Sequence, residues 1–354
     1  MPESTTIAPA LEQRLAQLIA RSGPIPVGRY MAEANAHYYA TRDPLGAAGD
    51  FITAPEISQM FGELAGLWLA DLWVRAGRPA NAYYVELGPG RGTLARDALK
   101  AMKAAGLSPP VELVETSPVL RAAQAALLPA ARWHDDCAGL PENGTLLIVA
   151  NEFFDALPVR QLVATGEGWR ERMVDYRDGR FVPAAGPPAP AAAIPDTLRD
   201  SPPGAIVETS PASAAIAGAL AERIAAQGGA ALIIDYGHQV SSPGETLQAV
   251  HAHGYADPWA EPGERDLTAH VDFEALARAA RHGEVKSFGP VGQGDWLRAL
   301  GIELRAASLA AAAPERAQEI AQARLRLTAP DQMGSLFKVL ALVARSWPDP
   351  EGFR

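Results

Sequence analysis

The stretch Val-Glu-Leu-Gly-Pro-Gly-Arg-Gly-Thr at Val85–Thr93 decides the fold of this chain. Its apolar start is typical of a buried strand, and the spacing of the apolar residues after it predicts a helix. Glycine lets the backbone come close to a ligand, and the first turn of a helix offers N–H groups that have no partner within the helix. The sequence therefore predicts a ligand-binding loop that joins a strand to a helix.

The spacing of the glycines indicates which ligand the loop binds. Gly88, Gly90 and Gly92 follow the acidic Glu86 in the pattern acid-x-Gly-x-Gly-x-Gly. A dinucleotide loop has the pattern Gly-x-Gly-x-x-Gly, and its third glycine position is occupied here by Thr93. A carboxylate before the glycines disfavours a pyrophosphate, whereas it suits the cationic amino-acid end of S-adenosylmethionine. We therefore predict that this cofactor binds here.

Further acidic residues follow the next two predicted strands. Glu115 ends the second strand, where an acid accepts hydrogen bonds from both hydroxyls of a ribose. His134, Asp135 and Asp136 follow the third strand, where an adenine amino group would lie. We take Asp135 as the adenine ligand, although a solvated acidic turn explains these three residues almost as well.

Short apolar strands alternate with amphipathic helices around the glycine loop. The predicted strands are 83–87, 111–115, 131–133, 146–151 and 231–236, and the predicted helices are 93–105, 118–128 and 211–227. This order is typical of a doubly wound, mostly parallel sheet with right-handed crossovers. The sequence therefore predicts an α/β fold of the Rossmann-like kind.

One segment interrupts this alternation. Residues 159–164 and 169–176 predict a hairpin, and residues 183–195 are a low-complexity run of Pro, Ala and Gly that predicts a linker unable to pack a core. We interpret 159–210 as an insertion into one sheet domain, because a domain boundary there would leave too few strands on either side.

The N-terminal part predicts helices and irregular structure. Residues 8–22 have helical spacing, residues 23–55 predict irregular structure, and Pro55 suits the first turn of a long helix. We therefore predict an N-terminal region over 1–77 that packs on a core over 78–345, followed by a tail over 346–354.

The carboxyl ends of the fourth and fifth strands carry the candidate catalytic residues: Asn151, Glu152, Asp155, Asp235 and His238. Ligands of open α/β sheets bind at this edge. Two carboxylates and an amide beside two aromatic residues suit a cationic or amide nucleophile, and a guanidinium would be clamped by a carboxylate. The less favoured alternative is that Asn151 caps a helix, and a lone histidine such as His238 is more often a hydrogen-bonded filler.

A segment before the sheet adds Thr53 and Pro55 as candidate cofactor ligands. Thr53 followed by Glu56 is also the pattern of a capping box, and that purely structural role would explain the segment as well. His251 and His253 have no third ligand at useful spacing, so we predict no metal site.

Composition excludes several classes of protein. Apolar residues make up 48% of the 354 residues, and 31 basic against 41 acidic residues give a net charge of −10. This charge disfavours nucleic acid and anionic membranes as partners, and the lone Cys137 excludes an internal disulfide framework. No apolar run is long enough to span a bilayer, and the first residues lack the pattern of a signal or transit peptide. We expect a cytoplasmic protein without membrane insertion, and its alanine-rich helices would permit a homodimer.

Five segments together resemble the MidA-like methyltransferases: Gly49–Glu63, Glu86–Gly92, Asn151–Pro158, Asp235–His238 and Asp266–Phe273. The resemblance extends from about Ile25 to Val343. It implies a class I S-adenosylmethionine methyltransferase fold, in which a seven-stranded, mostly parallel sheet carries insertions. It also implies that Gly88, Gly90 and Gly92 form the cofactor loop and that Glu115 is the ribose ligand.

The resemblance further implies a substrate. The family includes the mitochondrial complex I assembly-factor methyltransferase, which implies symmetric dimethylation of an arginine in an iron–sulfur-carrying subunit of the NADH–quinone oxidoreductase. Glu152 occupies the place of a substrate-clamping glutamate in arginine methyltransferases, and their second clamping glutamate has no clear match here. A bacterial relative is expected. The alternatives are a methyltransferase for a small molecule or another residue type, and a non-catalytic assembly chaperone that retains the fold.

Overall fold

A computed structural model describes residues 10–42, 52–251 and 254–353. Gly49, Asp50 and Phe51 of the first family segment, and His253, lie outside the described residues. The described chain forms twelve α-helices: α1 (Leu11–Ser22), α2 (Val27–Thr41), α3 (Ala54–Ile57), α4 (Gln59–Arg75), α5 (Thr93–Ala104), α6 (Pro118–Leu127), α7 (Pro211–Gln227), α8 (Phe273–Ala280), α9 (Gln293–Ala299), α10 (Ile302–Ala312), α11 (Ala317–Thr328) and α12 (Met333–Leu336). None of these helices is long and apolar enough to cross a membrane.

The same residues form sixteen strands: β1 (Ile25–Pro26), β2 (Ala82–Leu87), β3 (Val111–Val114), β4 (Arg132–His134), β5 (Thr145–Asn151), β6 (Arg160–Thr165), β7 (Gly168–Arg177), β8 (Arg180–Pro188), β9 (Ile206–Thr209), β10 (Gly229–His238), β11 (Gln248–His251), β12 (Gly254–Ala256), β13 (Asp266–Thr268), β14 (Val271–Asp272), β15 (Lys286–Gly292) and β16 (Phe337–Val343). The chain divides into two compact units. We name them the sheet unit (Asp43–Asp155, Ala212–Ser241 and His270–Arg354) and the hairpin unit (Met1–Arg42, Ala156–Pro211 and Ser242–Ala269).

The sheet unit has the predicted doubly wound sheet. Its strand order is β15-β16-β10-β5-β2-β3-β4, and the short β14 pairs with the end of β10. Strands β10, β5, β2, β3 and β4 run parallel, whereas β16 is antiparallel to both of its neighbours. This confirms the predicted seven-stranded, mostly parallel sheet, and it brings the ends of β2, β5 and β10 to one edge.

The hairpin unit is assembled from three separate stretches of chain. Its sheets have the orders β1-β7-β6-β9, with β8 beside β7, and β12-β11-β13. The buried Asn35 of α2 connects the three stretches, because its amide donates to the carbonyls of Ala156 and Leu267 at 3.0 and 2.7 Å and accepts from the Leu267 N–H at 3.0 Å. A buried amide with three hydrogen bonds thus ties the unit together.

Two segments predicted to lack regular structure are ordered in this unit. The prediction of irregular structure over 23–55 is wrong at α2, where Val27, Tyr30, Met31 and Tyr38 are buried at helical spacing. The prediction of an unpacked linker over 183–195 is also wrong. Residues up to Pro188 pair with β7, and Ile194 is buried against Leu162, Leu198 and Val207. Tertiary burial outweighed local composition in both cases.

The helix predicted to begin at Pro55 is broken in two. Ser58 has an extended backbone, and its hydroxyl accepts from the Met60 N–H at 3.2 Å, so that it caps α4. The capping box does not form, since the Thr53 side chain caps nothing. Glu56 instead accepts a hydrogen bond from the Thr93 hydroxyl at 2.5 Å, directly after the glycine loop.

The boundaries of the two units differ from the predicted domain boundaries. The predicted insertion over 159–210 belongs to the hairpin unit together with the N-terminal helices α1 and α2, whereas α3 and α4 belong to the sheet unit. The predicted tail is part of the sheet unit, where the Trp68 indole N–H donates to the Glu351 carbonyl at 3.0 Å. A single cut at residue 77 therefore does not separate the units.

Helices α4 and α5 approach so closely at Gly66 that a Cβ atom there would lie 2.3 Å from the Ala98 carbonyl oxygen. We expect Gly66→Ala to lower the free energy of unfolding by about 1–3 kcal/mol, because backbone atoms cannot yield as a flexible side chain would. Gly218 of α7 is the matched control, since its added Cβ would meet only the Ala279 carbonyl at 3.8 Å. Gly218→Ala should raise stability by roughly 0.5–1 kcal/mol. Urea denaturation measures both variants, and an equal effect of the two would contradict this packing.

Candidate active site

The glycine loop begins where β2 ends. Gly88, Gly90 and Gly92 have φ of 59°, 55° and 84°, in the left-handed region that favours glycine. The Gly88 N–H donates to the Val114 carbonyl at 3.0 Å, and the Gly92 N–H donates to the Pro89 carbonyl at 2.8 Å. The loop therefore needs all three glycines for its backbone conformation, as the sequence pattern predicts.

The loop after β5 lies against the glycine loop. A Cβ atom on Gly88 would come within 3.0 Å of the Phe153 ring. The Phe153 ring in turn packs edge-on against Phe154, with 5.3 Å between the ring centroids. The aromatic pair therefore places the residues that follow β5 directly beside the residues that follow β2.

Glu86 is buried below the glycine loop. It is 2% exposed, and its carboxyl group accepts a hydrogen bond from the Tyr84 hydroxyl at 2.5 Å. Burial raises the pKa of Glu86 from 4.5 to about 8, and the Tyr84 hydrogen bond opposes this rise. A cation placed beside this group would favour the carboxylate, so binding of a cation would release a proton.

Glu115 is held in place by its neighbours. One carboxylate oxygen accepts from the Ser117 N–H at 2.8 Å, and the other accepts from the Gln124 amide at 3.3 Å. Burial raises the pKa of Glu115, while these hydrogen bonds oppose the rise. The carboxylate is thus fixed at the end of β3.

Sequence reasoning missed Gln124. Its fully buried amide also donates to the Gly90 carbonyl at 2.6 Å and accepts from the Trp133 indole N–H at 2.8 Å. One side chain thereby joins the glycine loop, Glu115 and β4. Its position in the sequence could have indicated its burial, because it lies four residues after Leu120 and therefore on the same face of α6.

His134, Asp135 and Asp136, the three residues considered for the adenine contact, have different partners. Asp136 accepts from the N–H groups of Ala138 and Gly139, which is a local cap, and the His134 ring lies 2.7 Å from the buried Glu112. The exposed Asp135 makes an ion pair with Arg121 at 2.7 Å. Asp135 and Asp136 are both exposed, whereas His134 is partly buried.

Glu152 has a strained backbone. Its φ is 51°, which is uncommon for a residue with a side chain. One carboxylate oxygen accepts from the Asn151 amide at 3.3 Å and from the Ala54 N–H at 3.4 Å. The side chain is partly exposed, so the carboxylate can still accept bonds from a ligand.

Asp235 does not lie in the open part of this edge. It is 0% exposed, and one of its oxygens accepts from the N–H groups of Phe153, Phe154 and Asp155 at 3.2, 3.0 and 3.2 Å. The other oxygen accepts from the Tyr236 N–H at 2.9 Å. The sequence predicted that Asp235 contacts a substrate. In the structure its carboxylate accepts hydrogen bonds from backbone N–H groups instead.

The remaining candidates lie around this edge. The His238 ring is 4.0 Å from Asp272, which caps α8 through the Ala275 N–H. Thr53 is buried before α3, and Pro55 lies within α3, next to the Ala54 N–H that contacts Glu152. Among the described residues, no three His, Cys, Asp or Glu side chains lie close enough together to hold a metal ion.

Comparisons with known proteins identify the relatives of this chain. A sequence profile of the family described as "Putative S-adenosyl-L-methionine-dependent methyltransferase" matches residues 64–291. Among curated proteins, the chain is similar to the mitochondrial protein arginine methyltransferase NDUFAF7 homolog of Drosophila melanogaster (40% identity, covering 94% of this chain and 84% of that protein). It is also similar to the mitochondrial protein arginine methyltransferase NDUFAF7 of Homo sapiens (37% identity, covering 97% and 85%).

Solved structures show the same fold. A crystal structure from Burkholderia thailandensis bound to S-adenosyl-homocysteine has a TM-score of 0.85 and 30% identity, and the match covers 97% of this chain and 93% of that chain. A second structure from the same organism has a TM-score of 0.81 and 31% identity, and the match covers 96% and 92%.

The buried Glu86 predicts a pH dependence of stability. Its carboxyl group is protonated in the folded state up to about pH 8 but ionises at about pH 4.5 in the unfolded state, so folding takes up a proton between these values. The free energy of unfolding therefore falls as the pH rises through this window, by at most about 1.4 kcal/mol per pH unit from this group.

Glu86→Gln keeps the shape and an acceptor for the Tyr84 hydroxyl but does not titrate. We expect urea denaturation between about pH 5 and pH 7.5 to show a shallower decline for this variant than for the unchanged protein. Parallel declines would mean that Glu86 is already ionised in the folded state.

Proposed function

Because the chain belongs to this family of S-adenosyl-L-methionine-dependent methyltransferases, we propose that it transfers a methyl group to the guanidinium of an arginine in a partner protein. The family prediction from the sequence is confirmed, and the cofactor is S-adenosyl-L-methionine. The observation that carries the arginine proposal is the partly exposed Glu152 carboxylate, because the next residue, Phe153, contacts Gly88 of the glycine loop.

The residues at the ends of β2, β3 and β4 fit this cofactor. We assign the amino-acid end to the Gly88–Gly92 loop, with Glu86 as the countercharge below it. Glu115 would accept the ribose hydroxyls, and Asp135 would accept the adenine amino group. Thr53 and Pro55 would close the same pocket, which the hydrogen bond from Thr93 to Glu56 supports. When bound, the cofactor supplies the electrophilic methyl group.

Glu152 would act on the acceptor. A guanidinium presents several N–H donors in a plane, and a carboxylate pairs with two of them and fixes the orientation of the group. Positioning of the nitrogen for in-line attack supplies much of the acceleration in such a transfer. The nitrogen loses one proton as it gains the methyl group, so the acceptor keeps its single positive charge and its pairing with Glu152.

The partner follows from the relatives. Both curated relatives carry the name of a mitochondrial protein arginine methyltransferase, which supports a protein acceptor. We propose an arginine of an NADH–quinone oxidoreductase subunit as the acceptor, as the resemblance to the assembly-factor enzyme implies. The cytoplasmic location, the bacterial source and the homodimer stay predictions from the sequence.

Two acids three residues apart, Glu112 on β3 and Glu115 directly after it, give a matched test of the ribose assignment. Glu115→Gln should weaken binding of S-adenosyl-homocysteine by roughly 1–3 kcal/mol, since it loses the charged acceptor for two hydroxyls. Glu112→Gln also changes a buried acid, but that acid contacts His134, so its variant should bind as the unchanged chain does. Calorimetry measures both, and a loss confined to Glu112→Gln would transfer the ribose role to that residue.

Glu152→Gln tests the proposed function itself. The variant keeps the size of the side chain but loses charge-assisted pairing worth roughly 1.5–3 kcal/mol, so turnover should fall by about one to two orders of magnitude. Affinity for the cofactor should stay within about twofold, because no contact with it is assigned to this residue. The assay follows the labelled methyl group into the candidate subunit, with binding measured on the same preparation. Normal transfer, or a parallel loss of cofactor, would contradict the role of Glu152.

A further inference from the structure

We propose that Asp235 is a positioning residue, whose carboxylate sets the backbone of the Glu152–Asp155 loop and thereby aims Glu152 at the acceptor. This inference rests on the proposed methyl transfer and assigns Asp235 no contact with substrate or cofactor.

The geometry of the three donors carries the inference. The N–H groups of Phe153, Phe154 and Asp155 converge on one oxygen of Asp235 at 3.0 to 3.2 Å. Successive backbone N–H groups that converge on one oxygen form a concave turn of the kind that binds anions. The loop conformation is therefore built around this carboxylate.

The curl begins at the strained residue. Glu152 has a φ of 51°, and its N–H donates to the Ile234 carbonyl at 2.9 Å, which continues the pairing of β5 with β10. The left-handed conformation turns the chain from the strand into the curl. Such a conformation costs roughly 1–3 kcal/mol and persists where the surrounding contacts enforce it. Asp235, next in sequence to Ile234, supplies those contacts.

Direct action of Asp235 on a substrate is excluded by its surroundings. Its side chain is 0% exposed, and both oxygens accept backbone N–H groups, the second from Tyr236 at 2.9 Å. No face of the carboxylate is open to a guanidinium. Glu152, by contrast, is partly exposed.

The N–H groups also act on the charge of Asp235. Burial, and then the charges of Asp155 and Glu152, raise the pKa of Asp235 well above its usual range, whereas the hydrogen bonds from the Asp155 and Tyr236 N–H groups oppose the rise. The curled loop, which supplies the Asp155 N–H, therefore favours the ionised form of Asp235.

The test uses Asp235→Asn, which keeps the shape but replaces one acceptor oxygen by an amide that faces N–H donors. The matched control is Glu208→Gln in the hairpin unit, where a half-buried carboxylate accepts the consecutive N–H groups of Thr246 and Leu247 at 3.1 and 3.2 Å. We expect Asp235→Asn to lower kcat by about tenfold or more, with cofactor affinity within about twofold, and Glu208→Gln to leave both unchanged.

The double variant separates positioning from general damage. If Asp235 acts through Glu152, Asp235→Asn should change kcat by less than about threefold when Glu152 is already Gln. Losses that multiply would overturn the proposal. The double variant tests only the link between Asp235 and Glu152. If the proposed function itself is wrong, the single variant Glu152→Gln shows this by transferring the methyl group at the normal rate.

A measurement on the unchanged chain covers the case in which Asp235→Asn does not fold. Amide hydrogen exchange should show that Phe153, Phe154 and Asp155 are protected, although they lie in a loop after the strand. Exchange as fast as that of exposed turns such as Gly166-Glu167 would overturn the proposal without any variant.

Discussion

A single buried carboxylate determines how the catalytic edge of this protein is built. Asp235 lies in β10, one residue past its pairing with β5, and accepts three consecutive N–H groups from the loop after β5. A buried carboxylate is tolerated when it has such partners. The same loop contains Glu152, with its positive φ, and Phe153, whose ring lies beside Gly88.

The glycine-loop side of the sheet edge depends on a second buried polar group. Gln124 donates to the Gly90 carbonyl and the Glu115 carboxylate and accepts from the Trp133 indole, so one amide joins the glycine loop to β3 and β4. In the function that we propose, this side of the edge binds the cofactor and the side at β5 and β10 binds the acceptor. The contact of Phe153 with Gly88 brings the two sides together, as a direct methyl transfer would require.

The sequence predicted the parallel sheet and the positions of its loops because glycines and acidic residues follow the apolar strands in short, recognisable patterns. Glu86, Glu115 and Glu152 lie at strand ends as predicted. It could not predict that Asp235 is closed off, because its partners come from a loop 80 residues earlier. The role of Gln124 was not predicted because its hydrogen bonds reach three separate segments. Helix α2 was not predicted because the segment that contains it is rich in Gly, Pro and Tyr, which is typical of irregular structure. The fold of the hairpin unit depends on contacts such as those of Asn35, which no local pattern shows.

In the function that we propose, the acceptor is a guanidinium nitrogen held by a carboxylate beside the glycine loop. The decisive measurement is tandem mass spectrometry of the acceptor protein after reaction with methyl-labelled S-adenosylmethionine. We predict that the label is found on a terminal nitrogen of an arginine side chain. Label on a lysine, a carboxylate or a small molecule would contradict the account of Glu152, while the cofactor site at the glycine loop would stand.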